Sequence, residues 1–563
     1  MAYIFYQYAR QASSESEQQK VIQKLDEAIH ADTSIYRSDN HQILYYSQAS
    51  EFIADHNFSL VSGAFTGIRE NWHSPEAEKP ENFTFFLRNT ADELTANTDL
   101  LASRTIWYYK DEEQFIISSS QLLIIQALGS FELNPQAVSW MVATGTSGPD
   151  TSWDKRIHAL GANGEITLNK KDWSFSKTNK ELAFSGEKQS DEALSNLLTS
   201  RTEALFHKAS FSDKSFITLS GGVDSRVIAS MCKSNNKRIA NEVYTWGIES
   251  KASEKKGDIY VAKLVAEKLG YNHVFLANDS KYCKLDFPAF ISNYALRSEA
   301  RIDHFIGYLD GFNMWEDFTK KYDTNIRGDE VFGGRQHIFD ETHVRILQSL
   351  HDLSIYDNIP NLDQLGLENI QFKKQLERRH GETLEDWRDR LFSYQNITTV
   401  QASLNGIKQH YVEVVNPFLN QEIIKLTRAF SVDQRSQKRL FFKAFSDHLL
   451  GIPTAQLSVN GRKKRVLELA HAQTFMLDTL SSENTKNVFG DALCILLSEK
   501  TSFAQPSEQV SLKKRLRKLI PNSLLKVYRS EIKSERIDYF SLVFRINMVM
   551  VFLDKIEAMI NSK

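Results

Sequence analysis

The chain is poor in cysteine. Its three residues, Cys232, Cys283 and Cys494, are scattered, with no CxxC pair and no Cys/His cluster at zinc-ligand spacing. This excludes a disulfide framework or a structural zinc as the organising device, and a reducing cytoplasm is the expected setting. An excess of either charge is also missing. With 68 basic and 71 acidic residues the formal net charge is −3, so there is no global electrostatic footprint for nucleic acid and no nucleic-acid partner is expected. Long hydrophobic runs are absent as well. Met1 to Arg10 has no basic region leading into an apolar core, and the apolar stretch Phe540 to Ile560 is interrupted by Arg545, Asp554, Lys555 and Glu557. Neither a signal peptide nor a transmembrane span is predicted. What is there is ordinary for a soluble globular chain: 41% hydrophobic and 25% charged residues over 563 positions, enough for at least two domains with cores of their own.

Up to about residue 175 short β-rich runs recur, Asn82–Leu87, Arg104–Lys110 and Gln114–Ser119, separated by polar turns. Antiparallel sheets follow from that pattern. Gly164–Leu168 is expected to be the last of these strands, and the polar stretch Lys177–Ser190 a linker. Asp191–Ala209 then carries Leu194, Leu197, Leu198 and Leu205 at helical spacing. Further on the periods alternate: strand Ser215–Leu219, strand Glu242–Trp246, helix Ile259–Leu269 stopped by Gly270, strand His273–Leu276. Such alternation predicts a parallel sheet covered by helices, with ligand at the carboxyl ends of the strands. Beyond about residue 340 the pattern is mostly helical.

Between the strand Ser215–Leu219 and the helical run from Arg226 stands Ser220-Gly221-Gly222-Val223-Asp224-Ser225. Glycine and serine at a strand-to-helix junction are ordinary turn chemistry. They also suit a pyrophosphate: Gly221 and Gly222 let backbone approach an anion, Ser220 and Ser225 add hydroxyl donors, and the helix N-terminus adds partial positive charge. Asp224 would repel phosphate unless a cation such as Mg²⁺ lay between, so it predicts a complex of metal and nucleotide. The lysine of a Walker loop is missing. About a hundred residues later comes Arg327-Gly328-Asp329-Glu330-Val331-Phe332-Gly333-Gly334. Alone it could be an acidic surface turn; paired with the first loop, Asp224 and Asp329 become candidate ligands for magnesium on a nucleotide.

LSGGVDS followed by GDEVFGG resembles the synthetase domain of the asparagine synthetase family, whose PP-loop enzymes split ATP into AMP and pyrophosphate. Asp258–Gly270, the EVVNPFLN stretch Glu413–Asn420 and Lys443-Ala444-Phe445 are similar to further family segments. In the N-terminal part, Leu100–Tyr109 and Arg156–Leu168 resemble segments of the family's amidotransferase half, so that the likeness spans roughly residues 1 to 470. It implies an α/β protein in two parts. Residues 1–178 would form an antiparallel β-sandwich of the N-terminal-nucleophile amidotransferase type. Residues 190–563 would form the α/β PP-loop synthetase domain with a helical C-terminal part. The implied cofactors are ATP and Mg²⁺. Ser220, Gly221, Gly222, Asp224, Ser225 and Gly328 would hold the nucleotide, Leu219 and Ile248 would flank its base, and Asp224 and Asp329 would bind the metal.

Two positions depart from the family. A glutaminase of this type needs cysteine as residue 2, because its thiol attacks glutamine with its own α-amine as base; residue 2 is Ala2. A methyl group cannot replace a thiol, so a dead glutaminase is expected. That resembles the β-lactam synthetases and lasso-peptide cyclases, in which a carboxylate is adenylated and an amine closes an amide. Three residues before the second metal aspartate, where the family has Glu or Tyr, stands Ile326. It can neither accept a proton nor hydrogen-bond one. Glu413 is a candidate replacement base, or a structural carboxylate. Lys463, with Lys464 beside it, is the candidate for steadying the transition state and pyrophosphate, as the family's late lysine does; a basic run is otherwise solvated surface. Lys443 is expected to be structural, and His304 and Glu299 lie where the family shapes its acceptor pocket.

The expected activity is therefore an AMP-forming carbon–nitrogen ligase acting on a carboxylate substrate without glutamine hydrolysis. A lasso-type macrocyclase with a precursor peptide or partner protein, ammonia-dependent amidation of a sugar acid or metabolite, and a non-catalytic nucleotide-binding scaffold stay open as alternatives, as does a homodimer. Sulfur transfer to tRNA needs a cysteine pair that the spacing does not provide. The basic run Lys513–Lys518 reads as a solvated helix face or a docking patch for an acidic partner or membrane surface.

Overall fold

A computed structural model of the chain describes residues 3–12, 14–28, 33–38, 42–47, 52–54, 57–185, 189–279, 285–334, 337–350, 376–457, 463–501 and 537–561. Ala2, Cys283, the Lys513–Lys518 patch and the side chain of Lys464 lie outside the described residues.

The N-terminal part is two six-stranded antiparallel sheets. One has the order β10–β8–β9–β1–β3–β2 and the other β12–β11–β7–β6–β5–β4. The strands are β1 (Ile4–Ala9), β2 (Thr33–Arg37), β3 (Gln42–Ser47), β4 (Phe52–Ala54), β5 (Leu60–Ser62), β6 (Phe85–Asn89), β7 (Glu93–Thr98), β8 (Trp107–Lys110), β9 (Gln114–Ser118), β10 (His158–Ala159), β11 (Gly164–Asn169) and β12 (Phe175–Asn179). Strand alternation explains the layering. Ile4 and Tyr6 of β1 meet Phe85, Leu87, Ile166 and Leu168 of the opposite sheet in one core. Phe5, from the other face of β1, packs with Tyr45, Trp107 and Ile116 under helices such as Gln121–Leu128 and Pro135–Thr144. One sheet is thus buried on both faces. The expected last strand, Gly164–Leu168, is followed by another, β12, which takes up the first residues of the expected linker. It is an edge strand whose residues after Phe175 are exposed, so it carries no alternating apolar signal to read.

The second part is built on a five-stranded parallel sheet, β15–β14–β13–β16–β17. Its strands are β13 (Ser215–Thr218), β14 (Glu242–Gly247), β15 (Asn272–Ala277), β16 (Thr324–Ile326) and β17 (Glu413–Val415). Ile217 faces the helices Asp191–Lys208, Asp224–Ser234 and Asp258–Leu269; Phe216 faces Phe318 and Tyr322 on the other side, with ring centroids 4.7 Å away in each case. Helices on both faces bury a parallel sheet completely and leave its carboxyl edge for the site.

The 23-residue helix Tyr539–Asn561 closes the chain. It is apolar nearly all round because it packs between the two parts, against Phe287–Arg297, Ala470–Ser481 and Pro135–Thr144. Trp153 meets its Phe552 at 5.3 Å between ring centroids. No helix among the described residues is long and apolar enough to cross a membrane.

Candidate functional site

Ser220–Ser225 leaves β13 at the carboxyl edge and enters the helix Asp224–Ser234. Its shape is fixed from inside. The Ser220 N–H donates to Ser225 Oγ at 3.0 Å, the two hydroxyls lie 3.0 Å apart, and the Gly222 N–H donates to Ser220 Oγ at 3.2 Å. Val223 starts the helix with no side-chain cap, which leaves its first amides aimed at the loop. Gly221 is required by packing: a Cβ there would stand 2.5 Å from the Ala455 Cβ and 2.8 Å from the Asp258 Cα.

The second loop follows β16 and touches the first through Gly328. A Cβ on Gly328 would lie 2.8 Å from the Ser225 N and 2.9 Å from the Asp224 carbonyl carbon, both backbone atoms that cannot step aside. Gly328→Ala is expected to push the loops apart, costing about 1–3 kcal/mol of local packing. A tenfold or greater loss of nucleotide affinity in titration calorimetry, with an unchanged far-ultraviolet dichroism spectrum, checks this.

The two loops share a cation that nothing in the local motifs announces. Lys438 Nζ donates to both oxygens of Asp224, at 2.8 and 2.9 Å, and pairs with Glu330 at 2.7 Å. Its backbone is left-handed, with φ +57° after +53° at Gln437, both non-glycine residues. Such paired departures cost roughly 1–3 kcal/mol each and are held by their surroundings. Burial works against the ammonium, but Glu330 and Asp224 hold the Lys438 pKa above its ordinary value. Burial pushes the Glu330 carboxyl up to about 7, with Lys438 opposing and the Asp224 charge adding to the rise.

Asp329 has cations of its own. Arg327 approaches its carboxylate at 3.2 and 3.3 Å, and its backbone N–H donates to Asn416 Oδ1 at 3.4 Å. Burial disfavours its charge, yet Arg327 and the nearby Lys408 keep its carboxyl below the usual carboxylate range. Lys408 pays the counterpart: burial and the Arg327 charge push its ammonium far below its ordinary pKa.

No group of three or more metal-ligating side chains occurs among the described residues. Mg²⁺ is commonly held by one or two carboxylates and completed by phosphate and water, and Asp224 and Asp329 are carboxylates of that kind on abutting loops.

Leu219 and Ile248 sit at the carboxyl ends of adjacent strands. The Leu219 N–H is used by Tyr244 O at 2.8 Å and its carbonyl by the Thr245 hydroxyl at 2.5 Å; the Ile248 carbonyl accepts from the Lys251 N–H at 3.0 Å. Other expected site residues have partners outside the two loops. Glu413 is fully buried and accepts from Arg104 of the N-terminal part through both carboxylate oxygens. In that setting it ties the two parts together. Lys463 pairs with buried Asp303 at 2.5 Å, where Arg545 Nε joins at 2.6 Å; burial lowers its pKa although Asp303 opposes the shift. His304 lies beside the same carboxylate at 3.3 Å, and Glu299 accepts from Ser120 and the Gln121 N–H. Lys443 is exposed. Lys438, five residues before the Lys443-Ala444-Phe445 segment and part of no motif named above, is the residue that sequence patterns miss.

A strand–loop–helix turn meets an acidic loop at the carboxyl edge of a parallel sheet, an arrangement of the kind that α/β domains use to receive anionic ligands. Residues 214–493 match the family model described as asparagine synthase, and through this segment the chain belongs to that family. It carries the domain of an ATP-dependent amide-forming ligase. The N-terminal sheets lie outside the match. No curated protein matches the chain.

Proposed function

We propose that the protein adenylates a substrate carboxylate, releasing pyrophosphate, and joins the acyl group to an amine with release of AMP, without hydrolysing glutamine. The observation that carries this is the junction of the two loops around Lys438, which gathers Asp224, Glu330 and a helix N-terminus in one place. Ser220, Gly221, Gly222 and Ser225 bind the phosphates through hydroxyls and backbone amides. Magnesium held with them by Asp224 and Asp329 would neutralise the departing pyrophosphate.

The chemistry asked of the chain itself is positioning and charge. A carboxylate oxygen attacks the α-phosphorus, the bond to the bridging oxygen breaks, and the amine then displaces AMP from the acyl carbon. Lys438 holds the Asp224 carboxylate turned into the junction through both of its oxygens, and it stands as the resident cation beside the phosphates. Lys438→Met is expected to lower kcat by about 10²-fold, the cost of losing one charged donor to a transition state. ATP affinity should fall less, and quench-flow separates the two.

Ala2 supports the statement about nitrogen, since no thiol is available at the position that would attack glutamine. Glutamate release from glutamine is expected to stay at the level of a blank. The overall proposal is tested with [¹⁸O]carboxylate acceptors: label should appear in AMP, as attack on the α-phosphorus requires, and label in inorganic phosphate would overturn it.

A further inference from the structure

Strand β15 is the outer strand of the parallel sheet and pairs with β14 alone among the described residues. Its sequence, Asn-His-Val-Phe-Leu-Ala, contains no charged residue and no proline. Edge strands are normally blunted by such residues because the unpaired N–H and C=O row is a template for another chain. Here the side chains from His273 to Ala277 are half-buried, so the edge is neither covered nor fully open.

A groove of about 460 Å³ follows this edge from Glu242 to Asn278. It is touched by Val274 and Leu276 and also by Phe275 and Ala277, which point to opposite faces of the sheet. A cavity that meets both sets reaches the strand edge, while Glu242 and Tyr244 of β14 and the neighbouring Phe318 place its floor over one face of the sheet. The helix Asn313–Thr319 supplies the other wall, with Met314 and Phe318 toward the strand. Three carboxylates, Glu242, Asp310 and Asp317, line the groove with one basic side chain, Lys321, and a second lysine, Lys320, pairs with Asp317 at 2.7 Å, which leaves an excess of one negative charge. Asp310 is steadied by the N–H groups of Phe312 and Met314, Glu242 by the Tyr322 hydroxyl, and Asp317 stands at the exposed rim beside Lys320.

From an edge that no described strand but β14 pairs, the apolar floor and the acidic rim together, we infer that β15 docks an extended peptide with basic side chains as a sixth strand. Main-chain hydrogen bonds to the edge supply affinity, and alternate side chains reach the floor and the carboxylates. A second copy of the chain is the poorer occupant, because its own β15 has no charge to offer three carboxylates. The groove ends at Ala277 and Asn278, at the same carboxyl edge as Ser220 and two strands away, roughly 10 Å at ordinary strand spacing.

The test uses the full chain without nucleotide, so that its outcome is independent of the ligase proposal. Fluorescein-labelled peptides are titrated by anisotropy: Lys-Val repeated four times, the same peptide N-methylated at alternate amides, and Glu-Val repeated four times. The first should bind. N-methylation should weaken it at least tenfold, Asp317→Lys at least fivefold and Phe275→Lys at least tenfold, while the Glu-Val peptide should not bind. Equal binding of the N-methylated peptide would reduce the contact to charge alone and overturn strand addition. Binding of Glu-Val, or of no peptide, would overturn the inference altogether.

Discussion

Asp224→Asn should abolish pyrophosphate exchange into ATP, with a rate loss of 10³-fold or more. Three consequences combine. The metal loses a charged ligand, Lys438 loses a carboxylate that accepts from it through both oxygens, and the Glu330–Lys438 pair at 2.7 Å is left to rearrange. A 10³-fold loss corresponds to about 4 kcal/mol, within the range for removing a charge from a preorganised electrostatic site. The variant should remain folded, since Asp224 is only partly buried. Exchange retained within tenfold of the parent would remove Asp224 from the proposed chemistry.

The second large effect is on stability. Arg104 and Glu413 form an ion pair with side chains 1% and 0% exposed, contributed by the two parts of the chain. Arg104→Met or Glu413→Leu alone leaves a charge buried without its partner and should cost about 3–5 kcal/mol. The double variant should recover most of that loss, because an apolar pair of similar volume needs no solvation. Denaturant midpoints of the four proteins measure the coupling. If the double variant is as unstable as the sum of the singles, the pair is not the link between the parts. If Glu413→Leu keeps its stability and loses only activity, Glu413 belongs with the chemistry after all.

What could be read in advance was local. Ser220–Ser225 is legible as a strand-to-helix turn and Gly328–Asp329 as a short acidic turn because each is written in a few adjacent residues, and the parallel sheet follows from alternating periods. What escaped was long-range. Lys438 reaches Asp224 across 214 positions, Arg104 reaches Glu413 across 309, and Lys463 reaches Asp303 across 160. A carboxylate looks the same in a sequence whether its partner is a substrate amine or a distant guanidinium. Strand β12 escaped for a different reason: an exposed edge needs no hydrophobic alternation, so none was selected. Ile326, which stands where the family has a base, has a packing role in the fold: it is wholly buried in the core with Phe332 and Val415.

Carboxylate-dependent exchange of labelled pyrophosphate into ATP bears most directly on the central claim. With magnesium present and a panel of carboxylic acids supplied, exchange should appear only with an accepted acid, and AMP should be the nucleotide product once an amine is added. ADP and inorganic phosphate as the products would contradict the account, as would nucleotide binding with no exchange under any acid of the panel.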